Sequence, residues 1–286
     1  MQDVVIVTGS GHGLPEKIIK EYGIVVFPFG IHIGNEGFRD GVDITADKMI
    51  KMIYDEKIVP KTSAPSIVDL VNILEPIKNE GKSAVFVLMS SKLSAATYES
   101  LDNAKKKVGG DIEIIDTLQA AQGKELIVLE AAKLARAGKS KEEVVNHAKK
   151  VVTRTSTVLG IPDLKYLHLG GRIGRAKVLM GSMMKVIPII AIRDMEGMVS
   201  PVGRARNIFQ VNQKIVDAIK EDLKKFNANK VKSIVIGHAD NKEAAQSLKK
   251  IIEENINFEE MLEMEFGCAA IVHPGPKAWG AGYYIE

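Results

Sequence analysis

The fold is indicated most directly by residues 84–94, which read AVFVLMSSKLS. The apolar run 84–88 has the length and composition of a buried strand, and hydroxyl residues that favour helix openings follow it at once. In open parallel sheets, ligands bind beyond the carboxyl ends of the strands. This stretch therefore predicts an α/β fold and a place within it for a binding site.

The same alternation of strand and helix continues along the chain. Two amphipathic stripes, one beginning at Ile67 and one at Ile208, repeat apolar residues at helical spacing. Strands separated by helices of this length imply right-handed crossovers and a largely parallel sheet in the first half. The predicted strands are residues 4–7, 24–27, 84–88, 112–115, 158–159, 186–192 and 233–236.

The second half has a different pattern. A glycine-rich turn at residues 170–174 precedes the apolar run 186–192, and Met195-Glu196-Gly197 indicates a hairpin and hence an antiparallel pair. We therefore predict two α/β lobes, with a parallel-sheet domain at 1–160, a mixed-sheet domain at 161–286 and a ligand cleft between them.

Composition narrows the class of protein. Of 286 residues, 45% are hydrophobic and 26% charged, as in ordinary globular proteins rather than disordered chains. Aromatic residues are only 5% and the net charge is +3, so no nucleic-acid partner is expected. The single cysteine, Cys268, suits a reducing compartment, and neither a signal peptide nor a membrane span is recognisable. We expect a cytoplasmic protein.

Positive charge is concentrated in residues 165–206. This segment holds eight Lys or Arg residues against Asp194 and Glu196, a net charge of 8 − 2 = +6. A solvated helix face would explain this concentration. A surface that meets a phosphate, a carboxylate or a membrane headgroup would explain it equally well.

The glycine-rich loop at residues 8–13, TGSGHG, offers an alternative function. It follows the first strand, and its N–H groups could wrap a phosphate. Its spacing is G-x-G-x-G, however, and Pro28 and Phe29 stand where a dinucleotide site would need an acidic residue. The loop therefore favours a simple tight turn over the phosphate-binding loop of a nucleotide- or phosphate-using transferase, but the transferase alternative stays open.

Two hydroxyl clusters and one histidine are candidates for binding an anion. Residues 61–66 (KTSAPS) and 90–94 (SSKLS) both precede predicted helices, where they are either N-caps or part of an anion site. His273 begins a loop rich in turn formers that could hold an imidazole at a cleft. The methionines at 180, 183 and 184 are adaptable lining for a long ligand or simple core filler.

Evidence for catalytic or metal chemistry is weak. Ser182 and Lys185 match S-x-x-K, but the other elements of that enzyme class are missing or out of order. The six histidines lack ligand spacing, so we expect neither a metal nor a cofactor.

Taken together, these segments resemble the DegV family of bacterial fatty-acid-binding proteins over nearly the full length. The order and spacing of the motifs carry the resemblance. The matching motifs are Thr8…Ser10…Leu14-Pro15, Phe38-Arg39-Asp40-Gly41, Thr62-Ser63-Ala64-Pro65-Ser66, Ser90-Ser91-Lys92-Leu93-Ser94, Asp116-Thr117, Gly170-Gly171-Arg172-Ile173-Gly174, Lys185…Pro188, Arg206 and His273…Gly275-Pro276.

The resemblance implies a carrier without turnover of its own. One long-chain fatty acid (roughly C14–C18) would lie in a tunnel between the lobes, burying its tail. A partner ATP-dependent kinase subunit of the dihydroxyacetone-kinase type would make the acyl phosphate, and the product would go towards phospholipid synthesis at a transiently contacted anionic membrane. The implied carboxylate site comprises Thr62, Ser63, Ser91, Ser94, Arg206 and His273, and the implied docking residues are Arg172 and Arg175.

Some positions depart from the family pattern. Gly9 and Gly13 stand where acidic residues are usual, and Lys92 and Lys277 stand where glycines are usual. If these lysines lie near the carboxylate, they would strengthen anion binding or narrow the mouth of the tunnel.

Overall fold

The computed structural model describes residues 3–11, 13–181 and 186–286. The histidine of the glycine-rich loop, the S-x-x-K match and two of the three grouped methionines lie outside the described residues. Within the described ranges, no helix is both long enough and apolar enough to cross a membrane.

The first half builds a four-stranded parallel sheet in the order β2-β1-β6-β7. All four strands coincide with predicted apolar runs, each within a few residues. The elements of this half are β1 (Val4–Gly9), α1 (Glu16–Tyr22), β2 (Val25–Phe27), β3 (Gly30–Ile33), β4 (Glu36–Arg39), α2 (Ala46–Glu56), β5 (Lys61–Ser63), α3 (Ile67–Asn79), β6 (Ser83–Leu88), α4 (Ala95–Val108) and β7 (Ile112–Asp116).

A small antiparallel sheet, in the order β4-β3-β5, was not predicted. Residues 61–66 were predicted only to precede a helix, but residues 61–63 form the strand β5, in which Thr62 lies opposite Ile31 of β3. The three residues of β5 are polar, so no apolar pattern marks them as a strand. The pairing fixes the direction in which the Thr62 hydroxyl points.

The second half builds a mixed sheet in the order β10-β9-β8-β13-β11-β12. The predicted hairpin is confirmed, because β9 and β10 pair antiparallel. The elements are α5 (Ala121–Arg136), α6 (Lys141–Val152), β8 (Thr155–Gly160), α7 (Lys165–Leu169), a 3-10 helix (Gly174–Leu179), β9 (Ile187–Ile192), β10 (Ser200–Ala205), α8 (Ile208–Lys225), β11 (Val231–His238), α9 (Lys242–Asn255), β12 (Phe258–Glu265), α10 (Cys268–Val272) and β13 (Trp279–Tyr284).

These sheets confirm an α/β fold with a parallel first region and a mixed second region. Strand β8 ends at Gly160 and pairs with β9 and β13, so it joins the second sheet although it precedes the predicted boundary. The division into 1–160 and 161–286 stays a prediction.

Helix α5 lies between the two sheets. It packs against β1 and β6 on one side and against β8, β11 and β13 on the other. Twelve of its sixteen residues are buried, so it shows no clear polar stripe, which is why an amphipathic pattern did not reveal it. The first turn of this central helix reaches the space at the carboxyl ends of β1, β6 and β7.

Candidate functional site

An apolar cavity of about 330 Å³ lies at that junction. Its volume falls within the range of roughly 300–1,000 Å³ typical of small-molecule sites. Side chains following β6 and β7 form one wall, and strands β8 and β9 of the second sheet form another. The large apolar residues that line it are Phe29, Met89, Leu93, Leu159, Leu167, Ile190, Ile192 and Val199.

A threonine and a histidine meet in the wall of this cavity. Thr62 Oγ1 lies 3.1 Å from His273 Nε2, and both residues line the cavity. β5 carries the threonine, and the histidine directly follows the short helix α10. A Cβ on Gly170 would lie only 2.9 Å from His273 Nδ1, so the imidazole is held against a backbone without a side chain.

The imidazole of His273 is neutral near neutral pH. Burial, reinforced by the nearby charge of Arg172, lowers the pKa of His273 to about 4. Its Nδ1 is buried and has no hydrogen-bond partner among the described residues. A neutral imidazole beside a hydroxyl can orient a hydrogen bond towards an incoming acceptor.

Two serines bring further hydroxyls to the cavity. Ser63 Oγ lies 3.1 Å from His32 Nε2, and Ser94 Oγ lies 2.8 Å from Thr97 Oγ1. Ser94 precedes α4, but its side chain makes no capping hydrogen bond. By contrast, Ser66 Oγ accepts from the Asp69 N–H at 3.0 Å, so the capping interpretation holds for Ser66. The Ser94 hydroxyl is therefore not committed to capping and faces the ligand space.

Arg172, predicted as a docking residue, lines the cavity. Its Nε donates to Leu93 O at 3.0 Å and its Nη1 donates to Gly170 O at 2.5 Å. These bonds turn the half-buried guanidinium inward, across the gap between the loop before α4 and the turn after α7. Arg172 therefore supplies a fixed positive charge beside His273.

Two other predicted residues are not brought to the cavity. Arg206 is exposed just after the edge strand β10, where its N–H donates to Gln210 Oε1 at 2.8 Å. Ser91 lies in the loop beyond β6, and its N–H donates to Asp116 Oδ1 at 3.3 Å. Neither is among the residues that line the cavity, so the structure does not bring them together with Thr62, Ser94 and His273.

The second docking candidate and the two unusual lysines lie outside the lining. Arg175 is exposed; it donates to Ser200 Oγ at 3.0 Å and pairs with Glu196. Lys92 Nζ donates to Glu196 O at 2.8 Å. Lys277 pairs with Asp240 at 2.7 Å. Lys92 therefore ties the loop before α4 to the β9–β10 hairpin, and neither lysine adds its charge to the cavity wall.

Sequence reasoning missed Lys124 in α5. This lysine lines the cavity although only 3% of it is exposed, and its Nζ donates to Thr8 Oγ1 at 3.1 Å. The signal was present, because Lys124 and Glu125 are adjacent charges within an otherwise apolar helical run. Such a pair inside a core helix needs a partner or a ligand.

The described residues of the glycine-rich loop, 8–11 and 13, pack closely against the rest of the protein, and Gly11 lines the cavity. A Cβ on Gly9 would lie 2.3 Å from Phe29 Cε2, and one on Gly13 would lie 2.0 Å from Glu265 O. The Ser10 hydroxyl donates to the buried Asp40 at 2.9 Å. Gly9 and Gly13 therefore permit close approach of protein to protein, as the tight-turn interpretation predicts, and nothing at residues 8–11 or 13 favours the nucleotide alternative.

Comparison with known sequences identifies one family. The model described as "Uncharacterised protein, DegV family" matches residues 3–286. A DegV domain-containing protein of Caldanaerobacter subterraneus is 30% identical over 287 residues, covering 100% of this chain and 99% of the relative. One of Halalkalibacterium halodurans is 30% identical over 289 residues, covering 100% of both chains.

Solved structures share the whole fold. A DegV family protein of Thermus thermophilus, described for its fatty acid binding, has a TM-score of 0.89 at 25% identity, covering 99% of this chain and 100% of that one. A stearic acid-binding protein of Eubacterium ventriosum has a TM-score of 0.90 at 24% identity, covering 100% and 98%. The Fatty Acid Kinase (Fak) B3 protein of Streptococcus pneumoniae, loaded with linoleic acid, has a TM-score of 0.81 at 21% identity, covering 99% of each.

Proposed function

This chain belongs to the DegV family, and on that premise we propose that it is a carrier whose cavity binds one long-chain fatty acid. The observation that carries the proposal is the meeting of Thr62 with His273 in an otherwise apolar cavity, beside Ser94 and Arg172. Related proteins described as fatty-acid-binding share the fold over its whole length.

An alkyl tail would supply most of the binding free energy. Burial is worth about 0.8 kcal/mol per CH₂, so a tail of roughly C14–C18 offers about 12 kcal/mol before costs. Lost translational and conformational freedom removes several kcal/mol of this. The leucine and isoleucine walls of the cavity suit such a tail.

The carboxylate would bind at the polar end of the cavity. Buried carboxylates are costly unless they are hydrogen-bonded and paired with a positive charge. Ser63 and Ser94 would donate hydroxyl hydrogens to the carboxylate. His273 Nε2 would donate to Thr62 Oγ1, which leaves the Thr62 hydrogen for the carboxylate. Arg172 would supply the positive charge. In this proposal Ser91 and Arg206 have no direct contact with the carboxylate.

The finer part of the proposal is delivery to a kinase. One structural relative is named as a fatty acid kinase B3 protein, and this supports a partner of the dihydroxyacetone-kinase type that phosphorylates the carboxylate. The chain would then be a carrier in the cytoplasm, where such a kinase finds ATP. Arg175 and the basic residues around it would contact the kinase or, transiently, an anionic membrane.

The test is to identify what the purified protein carries. The protein would be extracted with organic solvent and the extract analysed by mass spectrometry, and the delipidated protein would then be titrated with palmitic and stearic acids. We expect one equivalent of a long-chain acid in the extract and saturable binding afterwards. An extract without fatty acid, together with no binding by the delipidated protein, would overturn the proposal.

A further inference from the structure

Lys124 occupies an unusual place for a lysine. It lies in the first turn of α5, near the positive end of the helix dipole, where a cation is disfavoured. Only 3% of its surface is exposed, and it lines a cavity whose walls are mainly apolar. Three unfavourable conditions therefore act on one ammonium group, and only interactions with acceptors can offset them.

The described partners of Lys124 use only part of its donor capacity. An ammonium carries three N–H donors. One of them donates to Thr8 Oγ1 at 3.1 Å, and Glu125 Oε1 forms an ion pair with Lys124 Nζ at 2.8 Å. That pair lacks good hydrogen-bond geometry, since neither carboxylate oxygen of Glu125 has a hydrogen-bond partner among the described residues. At least one N–H of Lys124 therefore remains for an acceptor in the cavity.

We infer that Lys124 recognises a second oxygen atom on the bound acid, so that this chain prefers a hydroxy or oxo fatty acid to an unsubstituted one. The inference rests on the proposed function and specifies its substrate class. Because Glu125 already balances the charge of Lys124, a neutral hydroxyl or oxo oxygen suits the remaining N–H better than a second carboxylate does.

The energetic consequence is a preference that depends on where the oxygen lies along the chain. An unsubstituted tail would leave the buried N–H of Lys124 without an acceptor. An oxygen at the matching carbon would satisfy it, and hydrogen bonds to charged groups carry enough free energy for about a tenfold change in affinity. An oxygen at another carbon would be buried against apolar wall and would weaken binding.

The experiment compares stearic acid with a panel of hydroxystearic acids that differ only in the position of the hydroxyl. Each would be titrated into delipidated wild-type protein and into the Lys124→Met variant, which keeps the length of the side chain but loses its donors. We expect one hydroxystearic acid to bind the wild type about tenfold more tightly than stearic acid. In Lys124→Met that preference should disappear or reverse.

Lys124→Met leaves the buried carboxylate of Glu125 without its positive partner, and the variant could fail to fold for that reason. A second variant keeps the test decisive in that case. The double variant Lys124→Met with Glu125→Gln removes both charges. Ile190→Val, elsewhere in the lining, is the control, and it should weaken the binding of stearic acid and of the hydroxystearic acids to the same extent. Equal wild-type affinity for stearic acid and every hydroxystearic acid would overturn the inference, as would parallel losses for both in the lysine variants. Binding of stearic acid in that case would leave the proposed carrier function standing.

Discussion

Thr62 Oγ1 and His273 Nε2 lie 3.1 Å apart, although 211 positions separate the two residues in the chain. The first belongs to a small strand of the parallel-sheet region and the second to the end of a short helix near the C-terminus. The polar end of the cavity therefore forms only when distant parts of the chain pack together, and its residues can be tested separately from the fold.

Removing two hydroxyls should weaken binding without unfolding the protein. We expect Thr62→Val combined with Ser94→Ala to reduce fatty-acid affinity by about 1–3 kcal/mol, because the carboxylate loses two donors. Displacement of a fluorescent fatty acid would measure this. The control is Ser66→Ala, which removes the cap of α3 and the hydrogen bond from Ser66 Oγ to Asp69 Oδ2; it should lower the free energy of unfolding by about 1 kcal/mol while leaving affinity unchanged. Equal affinities for the double variant and wild type would exclude a role for these hydroxyls.

Gly170 should be required for the position of His273. Gly170→Ala would put a Cβ 2.9 Å from both His273 Nδ1 and Tyr166 O, so the imidazole or the turn must shift. We expect lower fatty-acid affinity in the same displacement assay. Gly203→Ala is the matched control, since its Cβ would meet only Lys214 Nζ at 4.0 Å. If both variants bind like wild type, the close approach at Gly170 is not needed for the site.

The sequence predicted these site residues unevenly, and the reasons are physical. Thr62, Ser94 and His273 stand in local motifs, so their chemistry could be read without knowing the packing. Arg172 and Arg206 are both basic residues of one segment, and only the tertiary structure decides which one turns inward. Local patterns carry no information on that choice.

The same limit applies to parts of the fold. The parallel strands β1, β2, β6 and β7 have apolar runs that mark them, and they were predicted. Strand β5 is short and polar, and it forms only because β3 offers it a partner. Helix α5 is buried between two sheets and so lacks the polar face that marks an amphipathic helix.

The low pKa of His273 should make stability fall on acidification. With a pKa of about 4 in the folded protein against 6.5 normally, the unfolded chain binds a proton between these values that the native state does not. The free energy of unfolding should therefore decrease as the pH falls from 6.5 to 4, by about 3 kcal/mol at most. Urea denaturation at several pH values would measure this decrease, and the difference between wild type and His273→Gln isolates the histidine. Parallel pH curves for the two proteins would contradict the assignment.

Substitutions of Arg172 and Arg175 should have different effects, the first on fatty-acid binding and the second on docking to the kinase. Arg172→Met removes the charge that lines the cavity and the bonds to Leu93 O and Gly170 O, so fatty-acid affinity should fall by about 1–3 kcal/mol. Arg175→Ala removes an exposed ion pair with Glu196 and a hydrogen bond to Ser200 Oγ, both outside the cavity, and should leave affinity unchanged while slowing acyl-phosphate formation with a cognate kinase. Titration and a coupled kinase assay would measure the two effects. A loss of affinity in Arg175→Ala, or undiminished kinase coupling in it, would contradict this division.

Filling the cavity should abolish binding while the fold persists. Ala120 lines the cavity at the start of α5 with extended backbone angles that any side chain adopts, so Ala120→Phe would direct its ring into the space proposed for the tail. Overpacking costs about 1–3 kcal/mol where the ring meets the walls. Wild-type protein gains stability from its ligand by mass action, so its Tm should rise when stearic acid is added. The Tm of Ala120→Phe should not rise, whereas Ala137→Phe, at an exposed position after the same helix, should respond as wild type does. A ligand-dependent rise in Ala120→Phe would mean that the acid binds somewhere other than this cavity.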